Sequence, residues 1–163
     1  MCGICGQFNF NPERIVDKEL IKRMKLSLAH RGPDGQGMWV KDQIGLGHTR
    51  LAVIDPSVNG HQPMSNETGS IWITYNGEVY NFQDLRKELE SKGHRFRSNS
   101  DTEVIVHLYE EEGIQCMARL RGMFAFAVWD ENTKQLLLAR DRLGQKPLYY
   151  YKDQQSLLFA SEI

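Results

Sequence analysis

MFAFAVWDENTKQLLLARDRLGQKPLYYYKDQQSLLFA, residues 123–160, is the stretch on which the fold turns. Its apolar runs at 123–129, 136–140, 148–151 and 157–160 are short and separated by polar turns, the pattern of successive strands. Strands joined so closely pair antiparallel, because a parallel crossover needs roughly a dozen residues or more. Upstream, Ile71, Ile73 and Tyr75 alternate with Trp72 and Thr74, predicting a further strand that runs into Asn76-Gly77. Strands are also expected over 3–10 and around 37–40 and 44–54.

Helices are expected in two places. Asp17 can cap a helix whose apolar face is Ile21, Met24 and Leu28, stopping before His30-Arg31-Gly32-Pro33-Asp34-Gly35. Asn81 with Asp84 resembles a capping box ahead of Leu85 and Leu89, with Gly93 at the C-terminal cap. Ser100 with Glu103 repeats the signal before Val104, Ile105, Leu108 and Tyr109. Residues 55–68, with two prolines, two asparagines and Gly60, read as a long loop of the kind that serves a site. The expected class is α+β, with helices covering mostly antiparallel sheet.

Composition bounds the function. The 163 residues carry 20 basic and 21 acidic side chains, net charge -1, so the broad basic field needed for nucleic acid is missing. The length suits one domain. No apolar run approaches the roughly 18–20 residues of a membrane span, and the N-terminus has no signal pattern, so a cytoplasmic chain is expected. Three cysteines, Cys2, Cys5 and Cys116, cannot all pair within the chain, and a reducing compartment keeps them as thiols.

Cys2 follows Met1, which is readily trimmed before a small residue. The thiol would then share its residue with a free α-amine whose ordinary pKa of about 7.7–8.0 suits a general base near neutrality. Nucleophile and base would lie on one residue. Cys2 and Cys5 also form Cys-Gly-Ile-Cys, a redox pair or half a zinc site that His30, His48 or His61 would have to complete at irregular spacing. Gly45-Leu46-Gly47 begins like a dinucleotide fingerprint, but the third glycine position is Arg50 and no helix pattern follows.

Arg50 could grip a carboxylate bidentately or pair with a neighbouring acid on the surface. Asn76-Gly77 is both a strong hairpin signal and a pair of donors suited to an oxyanion hole, and the residues alone leave that choice open. Glu78 and Asp101 could accept from a substrate ammonium group, although Asp101 also fits a helix cap. Arg140, Asp141 and Arg142 read as a structural ion-pair cluster at a turn.

Several segments, in order, resemble the class II glutamine amidotransferases, whose catalytic domain is an N-terminal-nucleophile hydrolase. The resemblance is nearest to the glutaminase domain of glutamine-dependent asparagine synthetases. It is carried by Met1-Cys2-Gly3-Ile4, the 30–35 segment, Gly47-His48-Thr49-Arg50-Leu51, Tyr75-Asn76-Gly77-Glu78-Val79-Tyr80-Asn81 and Ser100-Asp101-Thr102-Glu103. It continues through Arg121-Gly122-Met123-Phe124-Ala125-Phe126 and Arg140-Asp141-Arg142-Leu143-Gly144 to Ala160-Ser161-Glu162-Ile163. Cys5 departs from the small or apolar residue usual there.

The resemblance implies a four-layer αββα sandwich of two mostly antiparallel sheets between helical layers. It implies that Cys2 attacks the glutamine side-chain amide, with Asn76 and the Gly77 N–H as oxyanion hole. Arg50 would hold the α-carboxylate of glutamine, and Glu78 and Asp101 its ammonium. Residues 1–163 would be the glutaminase domain of a longer enzyme, passing ammonia along a route bordered by 122–126 to a C-terminal ATP-dependent synthetase domain. No cofactor or metal is expected in residues 1–163; ATP and Mg2+ belong to the synthetase domain. The resemblance allows a homodimer. Alternatives are another ammonia acceptor, such as a sugar- or peptide-amidating enzyme, or a non-catalytic zinc or redox module on Cys2 and Cys5.

Overall fold

In the computed structural model, which describes residues 1–163, nine strands form two sheets. The first contains β1 (Gly3–Asn9), β2 (Gly35–Lys41), β3 (Ile44–Arg50), β8 (Tyr149–Lys152) and β9 (Ser156–Ala160), in the order β2-β3-β1-β9-β8. The second contains β4 (Met64–Ser65), β5 (Ile71–Val79), β6 (Gly122–Asp130) and β7 (Gln135–Arg140), in the order β4-β5-β6-β7. Neighbouring strands are antiparallel throughout. Helix α1 (Lys18–Ser27) covers the first sheet, and α2 (Phe82–Ser91) and α3 (Asp101–Glu112) lie on the side of the second. This is the expected α+β, four-layer arrangement.

The period-2 alternation in β5 and β6 sorts their side chains into two cores. One face sends Ile73, Tyr75, Phe126 and Val128 against Leu85, Leu89, Ile105 and Leu108 of the helices. The other sends Ala127 and Trp129 against Ile44, Leu46 and Phe159 of the first sheet, with Trp39 stacked on Trp72 at 4.5 Å between ring centroids. Gly45 and Gly47 are explained here. A Cβ on Gly45 would stand 2.7 Å from Ile21 Cγ1 and one on Gly47 2.7 Å from Cys5 Sγ, so Gly45 lets α1 lie close on β3 and Gly47 makes room for the Cys5 side chain of β1 beneath the helix. They are packing residues, not a phosphate loop.

Asp17 caps α1 as expected, accepting from Glu19 N–H at 2.9 Å, and Gly93 ends α2 with φ +101°. Three local expectations are corrected. Asn81 stands at the N-cap of α2 as expected but forms no capping box; its amide instead donates to Arg119 O and accepts from Arg121 N–H, tying the chain before β6 to the start of α2. Ser100 caps α3 through Thr102 N–H at 3.1 Å, but Glu103 reaches past it to the N–H groups of Arg97 and Ser98. Asp141 makes no ion pair with its arginine neighbours. Its carboxylate accepts from the N–H groups of Phe124, Leu143, Gln145 and Lys146, so backbone donors hold the turn.

β3 stops at Arg50, short of residue 54, and the 55–68 loop includes a helical turn at Val58–Gly60 and the two-residue β4. No helix is long and apolar enough to cross a membrane.

Candidate active site

Sheet geometry decides what Asn76-Gly77 does. The dipeptide lies inside β5, paired through Asn76↔Ala125 and Gly77↔Phe124, so it is not a hairpin turn. Phe124 donates its N–H to Asp141 Oδ2 and accepts at its C=O from Asp141 N–H. Its pairing with Gly77 is therefore the non-hydrogen-bonded kind, and the Gly77 N–H points to the opposite edge of β5. On that edge, Tyr75 N–H is accepted by Gln62 Oε1 at 2.7 Å and Val79 N–H by Asp101 Oδ2 at 2.9 Å. The N–H between them faces the cleft. Asn76 points its side chain between the sheets, 2% exposed, and its Nδ2 has no partner in the chain. An orphaned buried donor is costly, and a site that awaits an acceptor is one physical reason to keep it.

A cleft of about 170 Å3 gathers all six residues singled out in the sequence: Cys2, Arg50, Asn76, Gly77, Glu78 and Asp101. Cys2 stands at the leading end of β1. Its Sγ accepts from Leu51 N–H at 3.4 Å, and Arg31 Nε donates to its carbonyl at 3.0 Å. Burial pushes the thiol pKa up, while the Leu51 N–H, the terminal ammonium and Arg50 pull the other way. A thiol so placed needs a base to react at neutral pH.

Arg50, at the end of β3, is clamped by the loop it faces. Nη1 donates to Ser57 O at 2.8 Å and Nη2 to Asp55 O. Two of the five guanidinium N–H groups are thereby used, and the remainder are available to an anion. The clamp fixes the 55–60 loop as a cleft wall. Asp101 opens α3, where the helix dipole favours negative charge. Burial pushes its carboxyl pKa up, Glu78 adds to the rise, and the Tyr75 hydroxyl at 2.6 Å and Val79 N–H offset it. Two acids thus share a cleft wall without a basic partner, which suits a cationic ligand group.

Two positioning residues escaped the sequence reading. Tyr75 was legible only as an apolar alternation, yet its hydroxyl orients Asp101. Gln62 sits in the long loop with no local signal, yet it joins Tyr75 N–H to Thr102 Oγ1 at 3.2 Å. The Cys-Gly-Ile-Cys pair does not make a metal site. Cys5 is fully buried and packs toward α1, while Cys2 faces the cleft; both are free thiols.

His48 lies behind the cleft on β3, donating Nε2–H to Tyr75 O at 3.0 Å. Burial is the main cause that pushes its pKa down to about 4, with Arg50 and His61 adding to the fall. The unfolded chain, with an ordinary histidine pKa of about 6.5, binds a proton there that the fold refuses. Stability is therefore full above about 6.5 and lost as pH falls toward about 4. The loss should reach up to about 3 kcal/mol in urea titrations across that window. His48→Gln should flatten the slope; an unchanged slope would place the titration elsewhere.

Comparisons with known proteins agree with one another. A family model described as "Glutamine amidotransferase domain" matches residues 1–163. The chain is 47% identical over 165 residues to asparagine synthetase [glutamine-hydrolyzing] 3 of Bacillus subtilis, covering 100% of this chain and 27% of that protein. It is 44% identical to amidase chry2 of Gibberella zeae, covering 90% of this chain and 22% of that one. Among solved structures, the B. subtilis glutamine phosphoribosylpyrophosphate amidotransferase, complexed with ADP and GMP, superposes with TM-score 0.79 at 26% identity. That match covers 98% of this chain and 42% of the other. The chain spans about a quarter of the length of the curated relatives it matches.

Proposed function

The chain belongs to the glutamine amidotransferase domain family, and on that premise we propose that it hydrolyses glutamine to glutamate and ammonia through a thioester on Cys2. The observation that carries the reading is the orphaned Asn76 Nδ2, on the wall of the same cleft as the Cys2 thiol.

The reaction begins once Met1 is removed and the Cys2 amine is free. That amine takes the thiol proton, and Sγ attacks the γ-carbonyl carbon. The oxyanion receives hydrogen bonds from Asn76 Nδ2 and the Gly77 N–H. As the intermediate collapses, the amine returns its proton to the leaving nitrogen and ammonia departs. Water then attacks the thioester, losing a proton to the amine; the C–S bond breaks, the thiol is reprotonated and glutamate is released. Arg50 pairs with the α-carboxylate, and Glu78 and Asp101 with the α-ammonium.

The three B. subtilis relatives named asparagine synthetases support an asparagine-synthetase-like acceptor, in a further domain that would bind ATP and Mg2+. The resemblance adds an ammonia route bordered by residues 122–126, whose Met123 lines the cleft. Three free thiols suit a reducing cytoplasm.

The test is turnover of L-glutamine by the purified chain, with N-terminal mass measured in parallel. Glutamate and ammonia should appear in equal amounts from molecules that begin at Cys2. Asp101→Asn should raise KM at least about tenfold, the scale of losing one buried charge partner. Absence of turnover in chains whose Met1 is gone, with or without an added synthetase domain, would overturn the reading.

A further inference from the structure

Outside the cleft, the connection from α2 to α3 brings His94 beside His107 and Glu110, with one ligand-type atom of each within 4.8 Å of the others. Glu110 Oε2 lies 2.6 Å from His107 Nδ1 and 3.9 Å from His94 Nδ1. One carboxylate oxygen thus faces two imidazole nitrogens. His107 is 1% exposed, and its Nε2 has no hydrogen-bond partner.

That orphaned nitrogen carries the argument. If Nδ1–H is donated to Glu110, a neutral His107 presents Nε2 as a lone pair, 3.9 Å from Glu103 Oε1 and 4.0 Å from Glu67 Oε1. A lone pair facing two carboxylates is the unfavourable tautomer. With the proton on Nε2, the N–H faces the negative charge of Glu103 and Glu67, and the Nδ1 lone pair points at Glu110 Oε2. A cation between those two atoms satisfies both.

We propose that His94 Nδ1, His107 Nδ1 and Glu110 Oε2 form a binding site for a divalent first-row transition metal of the Zn2+ class. Two imidazoles and a carboxylate are the ligand types that suit such an ion. Bonds of about 2.0–2.2 Å in a tetrahedron set ligand atoms about 3.3 Å apart. The 2.6 Å and 3.9 Å separations from Glu110 straddle that value and all three atoms lie within 4.8 Å of one another, so the His94 side chain must move inward by roughly an ångström to close the site.

Two of the three ligands are hydrogen-bonded on their far side, which is how proteins fix the tautomer and orientation of metal ligands, and the third faces a carboxylate. His94 Nε2 is 3.0 Å from Glu111 Oε1, Asn66 Nδ2 donates to Glu110 Oε1 at 2.7 Å, and Glu103 stands behind His107 Nε2. Water completes the coordination from the solvent side, where His94 and Glu110 are partly exposed. The ion would pin the α2–α3 connection onto α3, the helix that begins with Asp101. Its role is structural and does not depend on the glutaminase reading.

Co2+ is the probe, titrated into the full 163-residue chain at neutral pH. One equivalent should bind with the visible bands of a four- or five-coordinate site, be displaced by Zn2+, and raise the thermal midpoint. His94→Gln and Glu110→Gln should each weaken binding at least about tenfold while leaving circular dichroism and ammonia release unchanged. Binding below one equivalent, or affinity unaltered in both variants, overturns the proposal. A thiolate charge-transfer band that disappears in Cys5→Ser would put the ion on the cysteine pair and overturn it equally.

Discussion

Replacing Cys2 with alanine will abolish ammonia release from glutamine and leave the rest of the protein unchanged. Loss of the nucleophile removes the covalent route outright, and the residual rate should fall by about 10⁵–10⁶, the scale of deleting a catalytic nucleophile elsewhere. Little else depends on the thiol. Its contacts are long ones to the backbone of Leu51, at 3.4 Å and 3.6 Å, so the thermal midpoint should move by no more than a degree or two. Glutamine binding should survive, because Arg50, Glu78 and Asp101 do not touch the sulfur, and saturating glutamine should still raise the midpoint. Cys5→Ala provides the contrast: it leaves a small cavity under α1 and costs stability, with turnover retained. Residual turnover above about one per cent in the Cys2 variant would defeat the thioester mechanism.

The sequence made the strands legible because their alternation survives burial, and 123–160 alone implied antiparallel sheet. It left Asn76-Gly77 undecided because the same dipeptide serves a tight turn and an interior strand position. What separates the two is Phe124, nearly fifty residues away, whose backbone groups are taken by Asp141 and so leave Gly77 free. The six cleft residues were each open to a bland reading when taken one by one, and it was the ordered family resemblance across distant segments that joined them into one site. Tyr75 and Gln62 were missed, because their roles are hydrogen bonds across separate segments and their residue types carry no signal. The same holds for His94, His107 and Glu110, whose proximity exists only once the chain turns back between α2 and α3. Asn81 shows the converse: it occupies the N-cap position the sequence indicated, but its amide is claimed by the 119–121 backbone rather than by the helix.

Asn76→Ala separates catalysis from stability, because the two should move in different directions. If Nδ2 holds the oxyanion, its loss should lower kcat by about 10²–10³, equivalent to about 2.7–4 kcal/mol of transition-state stabilisation, with KM nearly unchanged. A buried amide with a purely structural purpose would instead be hydrogen-bonded within the fold, and its removal would destabilise the protein. In the structure Nδ2 is buried and unpaired, so the folded state already bears a desolvation penalty of about 1–3 kcal/mol for that group. Deleting it relieves the penalty and leaves a small void, and the two effects roughly cancel. The urea midpoint should therefore stay or rise while turnover collapses. Asn76→Asp should be slower still, since a carboxylate in the same place repels the developing oxyanion. Gly77 is a poorer probe of the same hole: a Cβ there would stand 2.4 Å from Met123 O and 2.7 Å from Phe124 Cα, so Gly77→Ala forces β5 away from β6 and confounds the readings. A kcat within about threefold of the parent in Asn76→Ala, or a fall in both turnover and stability, would remove Asn76 from the oxyanion hole and leave the Gly77 N–H as its sole donor.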